Sequence, residues 1–67
     1  MMSQQFSQNF KKQPAQHTLK GSRQSVLYSM QMLYALGYAE IAEWTPLEAT
    51  DVPGEVITTI TKYWLLP

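Results

Sequence analysis

The residues that could carry out chemistry are few and scattered in this 67-residue chain. His17 is the single histidine and there is no cysteine, so neither a converging metal site nor a thiol nucleophile can be assembled. Glu40 and Glu43 could pair as acid and base, but that chemistry needs a pocket that separates two pKa values. The three glycines are isolated, so no phosphate-binding loop is expected. We predict no enzymatic activity, no metal and no cofactor.

The net charge of zero hides a polarity along the chain. Residues 1–36 carry four basic and no acidic residues, namely Lys11, Lys12, Lys20 and Arg23. Residues 37–67 carry five acidic residues against Lys62 alone. This asymmetry indicates either a basic arm for an acidic partner or nucleic acid, or attraction between the two halves.

The N-terminal third is polar and rich in glutamine. Residues 1–21 offer too little apolar area to offset the entropy of ordering, so they are predicted to form a disordered basic tail. Phe6 and Phe10 are four residues apart and would share one side of a short helix. They are interpreted either as an anchor that docks on a partner or as two aromatic residues placed by chance.

A helix is predicted over residues 23–36. Its core-facing stripe has the spacing of an amphipathic helix and consists of Val26, Leu27, Met30, Leu33 and Tyr34. Ser22 can cap the start of this helix, and Gly37 can end it. The sixteen uncharged residues from Gln24 to Ala39 are too few for a membrane span, which needs about 20.

The same helix has a second apolar line formed by Tyr28, Met32 and Leu36. A helix that is apolar on two sides is either central in its own fold or covered by another chain. Both interpretations stay open, and these three residues are the first expected surface for a homodimer.

The second half predicts further helices. Residues 38–44 suggest a short helix with Ile41 and Trp44 inward, and the run from Thr45 to Glu48 matches a helix start with a capping threonine, giving a short helix near residues 46–50. The spacing of the apolar residues favours a helix over residues 54–66. The abundance of β-branched residues in that last segment favours a strand instead.

The run from Gly37 to Trp44 resembles the first helix of helix-turn-helix DNA-binding units, where a Y-x-E-I-A phrase precedes the turn. Here the segment from Thr45 to Gly54 is far longer than the three or four residues of that turn. Glu55 and Lys62 are the only charged residues of the segment that would read DNA. We therefore do not assign the chain to this family.

Together these patterns predict an all-α fold with two domains: a tail of residues 1–21 and a helical interaction domain of residues 22–67. The expected function is a small non-enzymatic protein-interaction module that binds another, larger protein or a second copy of itself. The alternative is a nucleic-acid-binding regulator with a degenerate helix-turn-helix and a basic arm. A cytoplasmic location is expected, because the first residues lack the continuous apolar stretch of a secretory signal.

Overall fold

The fold is α+β, with three antiparallel strands in one sheet and one helix packed against it, in a computed structural model that describes residues 10–67. The elements in chain order are strand β1, helix α1, a short 3-10 helix, strand β2 and strand β3: Lys11–Ser22, Arg23–Ala35, Ile41–Glu43, Glu48–Ala49 and Glu55–Leu66. The predicted all-α bundle is therefore wrong.

Strand β3 lies in the centre of the sheet, with β1 on one side and β2 on the other. β1 and β3 pair along their full lengths, from Lys11 opposite Leu66 to Ser22 opposite Glu55. The two-residue strand β2 pairs with β3 only at Ile57 and Val56. The sheet is thus a long two-stranded ribbon that carries a third strand at one end.

Helix α1 forms where the sequence predicts it, and its caps are as expected. The hydroxyl of Ser22 accepts a hydrogen bond from the backbone N–H of Ser25. Gly37 has a φ of 76°, and the N–H of Tyr38 donates to the carbonyl oxygen of Leu33. This is the Schellman arrangement, in which the positive φ favours glycine because it has no Cβ.

The C-terminal segment is strand β3 and not the predicted helix. Residues 56–61 are six consecutive β-branched residues, which fit a pleated sheet better than a helix. Alternate side chains point to opposite faces, so Thr58 and Ile60 lie against α1 and are each only 1% exposed. The apolar residues of this segment have a helix-like spacing only because the exposed end of the strand is apolar as well.

The predicted disordered tail is also corrected, since residues 11–22 form β1. The apolar content of this segment is low, and it is ordered by a backbone hydrogen-bond ladder with β3. Residues 1–9 of the predicted tail lie outside the described residues. The boundary predicted at residue 22 falls between β1 and α1, which contribute to the same core.

The connection between α1 and β3 contains one turn of 3-10 helix, where the longer helix over residues 38–44 was predicted. Thr45 does not start a helix near residues 46–50. Its N–H donates to the carbonyl oxygen of Thr59, and its hydroxyl accepts from the N–H of Thr59. Thr45 therefore continues the edge pairing of the sheet next to β2.

The core is small and lies between one face of the sheet and α1. Its buried apolar members are Val26, Met30, Ala39, Trp44 and Ile60. The opposite face of the sheet, which we call the open face, carries alternate residues of β1 and β3 and no covering helix within residues 10–67. No helix in the described part of the chain is long and apolar enough to cross a membrane.

Candidate interaction surface

The second apolar line of α1 lies on its outer side, away from the sheet. Of the predicted core-facing stripe, Val26 and Met30 are buried and Leu33 is half-buried, whereas Leu27 and Tyr34 are exposed, so the prediction was wrong for those two residues. Tyr28, Met32 and Leu36 are 63%, 44% and 76% exposed. We call these three residues the outer helix face. An apolar surface of this kind on a charge-free stretch of helix is typical of a protein-contact site.

The predicted basic arm is not a single patch. Lys11 and Lys12 lie at the start of β1, whereas Lys20 and Arg23 lie at its end and at the first residue of α1. A strand rises about 3.3 Å per residue, so the two pairs are roughly 25 Å apart. Lys12 lies over the ring of Tyr63, with its Nζ 4.9 Å from the ring centroid.

Only one of the two phenylalanines of the predicted anchor lies within the described residues. Phe10 immediately precedes β1 and is half-buried. Phe6 lies outside the described residues. The docking role predicted for this pair stays a prediction.

A polar and aromatic cluster joins the end of α1 to the sheet. The hydroxyl of Tyr38 is 2.8 Å from Nε2 of His17. The Nζ atom of Lys62 lies 5.1 Å from the centroid of the Tyr38 ring and 3.1 Å from Oε1 of Glu43. These four residues, which we call the Tyr38 cluster, fix the connection after α1 onto both long strands.

The charge of Glu43 is stabilised within this cluster. Its Oε2 accepts a hydrogen bond from the backbone N–H of Glu40 at 2.7 Å. That bond, followed by the contact with Lys62, lowers the pKa of the Glu43 carboxyl below its ordinary value of 4.5. This contact belongs to a capping box at the start of the 3-10 helix, so both glutamates contribute to the local structure.

An open cleft of about 430 Å³ lies beside the Tyr38 cluster. Its lining is mainly aromatic and apolar: His17, Thr18, Leu19, Leu33, Tyr38, Trp44 and Trp64. The volume is within the range of binding clefts in proteins. The indole Nε1 of Trp44 is buried and has no hydrogen-bond partner within residues 10–67.

No helix-turn-helix is present in residues 10–67. Within the described residues, no group of three or more His, Cys, Asp or Glu side chains converges as a metal site. The run that resembles a first DNA-binding helix contains only a 3-10 turn, and β2 and β3 follow it. The degenerate helix-turn-helix of the alternative function is therefore wrong.

Sequence reasoning missed His17, Tyr38, Lys62 and Trp64. His17 falls within the segment predicted to be a disordered tail, although the alternation of Ala15, His17 and Leu19 with polar residues is a signal for a strand. The other three residues could not be grouped from sequence, because only the packing of the connection after α1 against β3 brings them together.

Comparison with protein-family models, with curated proteins and with solved structures finds no match to this chain.

Proposed function

We propose that this chain is a small, non-enzymatic protein-interaction module whose outer helix face binds a larger cytoplasmic protein. The observation that carries the proposal is the exposure of Tyr28, Met32 and Leu36 along one side of α1. Only the opposite side of the helix contributes buried side chains to the core of this protein.

The chemistry of the helix specifies the partner surface. From Gln24 to Ala39 the chain has no charged residue, so the partner is expected to present an apolar patch and not a charged one. Tyrosine and methionine on the outer helix face are residue types that provide large contact area and adapt their shape to a partner.

The cleft beside the Tyr38 cluster extends this surface. Leu33, Tyr38 and Leu36 all lie at the C-terminal end of α1, so a partner seated on the outer helix face can also reach the cleft.

The test is capture of partners from the native host with the tagged chain and with the variant Tyr28→Lys, Met32→Glu, Leu36→Lys. All three side chains are exposed, so the variant should keep its far-ultraviolet spectrum, with each change within about 0.5 kcal/mol. At least one protein identified by mass spectrometry with the parent chain should be lost.

The matched control is Gln24→Glu with Gln31→Lys, which adds charges on the neighbouring side of the same helix. This control should capture the same proteins as the parent. If all three chains capture the same set, the outer helix face is not the contact site and the proposal fails.

A further inference from the structure

Within residues 10–67, one edge of β3 has no partner strand over its second half. Thr59 directs its backbone N–H and carbonyl towards Thr45, and backbone direction alternates along a strand. The same groups of Thr61, Tyr63 and Leu65 therefore point to that side. The segment that pairs with β3 on this side ends at Thr45, so beyond Thr59 no strand within residues 10–67 covers this edge.

The ribbon that carries this edge extends beyond the core. A strand of 12 residues is about 40 Å long, whereas the 13 residues of α1 cover about 20 Å. Residues 11–14 of β1 and 63–66 of β3 therefore form a two-stranded projection, which we call the distal arm. A two-stranded ribbon is only marginally stable in water by itself.

The distal arm exposes four consecutive apolar residues. Tyr63, Trp64, Leu65 and Leu66 are 59%, 46%, 69% and 43% exposed. They alternate between the two faces of the ribbon, so both faces of the arm are apolar. A third strand along the free edge would cover part of both faces at once.

The other edge of the ribbon is protected against strand addition. The odd-numbered residues of β1 direct their backbone N–H and carbonyl groups towards β3, and its even-numbered residues direct theirs away from the sheet. One of these even-numbered residues is Pro14, which has no N–H to donate. Proline and lysine on an edge strand are typical devices against edge pairing. The free edge of β3 carries no proline from Thr61 to Leu66.

Charge selects the occupant of the free edge. The described part of the distal arm carries Lys11 and Lys12 and no acidic side chain. Beside the free edge, Lys62 forms a salt bridge with Glu43, and the exposed Glu40 precedes Glu43 in the same segment. A second copy that runs antiparallel brings its own lysines towards Glu40 and Glu43, at about two strand spacings or 10 Å, which is about one Debye length at 0.1 M salt.

We propose that the free edge of β3 is a self-association surface, on which residues 61–65 of two copies pair antiparallel about a twofold axis at Tyr63. The two ribbons then form one continuous four-stranded sheet. The apolar residues of one distal arm then lie against those of the other, and Lys11 and Lys12 of each copy face Glu40 and Glu43 of the other copy. The outer helix face stays free for the partner protein.

The experiment compares the mass in solution of the full chain and two proline variants by sedimentation equilibrium at matched concentrations. Thr61 and Gln16 lie opposite each other in the register, and each directs its N–H to one edge of the ribbon. Thr61→Pro should raise the dimer dissociation constant by roughly a hundredfold, as expected from two lost hydrogen bonds. Gln16→Pro, the matched control, should leave it unchanged.

A charge swap tests the same surface without changing the backbone. The variants Glu40→Lys and Lys11→Glu with Lys12→Glu should each dimerise more weakly at low salt, and an equimolar mixture of the two should recover a heterodimer of parental strength. A parent chain that stays monomeric at millimolar concentration would overturn the proposal. Equal dimerisation of Thr61→Pro and the parent, or loss of the dimer only in the outer-helix-face variant, would do the same.

Discussion

The hydroxyl of Thr58 donates a 2.6 Å hydrogen bond to the backbone carbonyl oxygen of Thr45. Thr58 is a buried polar residue at the centre of β3, and Thr45 lies in the connection that precedes β2. The side chain of Thr45 also lies 3.2 Å from the Thr58 hydroxyl. This contact attaches the connection to the sheet at the point where its edge pairing ends.

Thr58→Val should destabilise the protein although it preserves volume and β-branching. The substitution removes the part-buried hydrogen bond that the carbonyl oxygen of Thr45 accepts, which costs about 1 kcal/mol. The measurement is chemical denaturation followed by tryptophan fluorescence. Thr61→Val, on an exposed position of the same strand, is the control and should stay within about 0.5 kcal/mol of the parent. Equal effects of the two would show that the bond contributes nothing.

Tyr38→Phe should weaken the attachment of the Tyr38 cluster to β1. The variant loses the hydrogen bond to His17 but keeps the ring beside Lys62. The loss should be about 0.5 to 1 kcal/mol, because the bond is exposed to solvent. Tyr28→Phe removes a hydroxyl from the outer helix face and should have no measurable effect on thermal unfolding. A Tyr38→Phe variant as stable as Tyr28→Phe would exclude a structural role for this bond.

The stability contribution of Glu43 should depend on pH. Its pKa is lowered in the folded protein, so the ionised carboxylate stabilises the fold above the unfolded pKa, and the contribution disappears as pH falls through the folded pKa. Glu43→Gln should lower Tm at pH 7, and the gap from the parent should close at pH values well below 4.5.

The control for that experiment is Glu48→Gln. Glu48 is exposed on β2 and makes no salt bridge within residues 10–67. Its variant should show the Tm of the parent at both pH values. A constant gap for Glu43→Gln across the titration would contradict the assigned role of the charge.

Helix α1 was predictable because all its signals are local. The cap at Ser22, the apolar stripe and Gly37 lie within a few residues of the hydrogen bonds that they favour. The exposed line of Tyr28, Met32 and Leu36 was predictable for the same reason, since the helical repeat alone places it opposite the core stripe.

Strand β3 was not identified, although a local signal was present. Six consecutive β-branched residues argue for a strand, but the apolar residues at the uncovered end of β3 completed a helix-like spacing. The Tyr38 cluster and the cleft could not be predicted at all, because His17, Tyr38 and Lys62 come from three separate segments.

The amino-acid sequence by itself determined α1, its two ends, its apolar outer side and the absence of a cysteine or clustered-histidine site. The tertiary structure decided that residues 11–22 and 55–66 are strands and that one edge of β3 has no partner strand in the described part of the chain. The physical reason is the range of the interactions: helical hydrogen bonds join residues four apart. The ladder instead joins Lys11 to Leu66 and Ser22 to Glu55, so each strand is stabilised by residues that no local window contains.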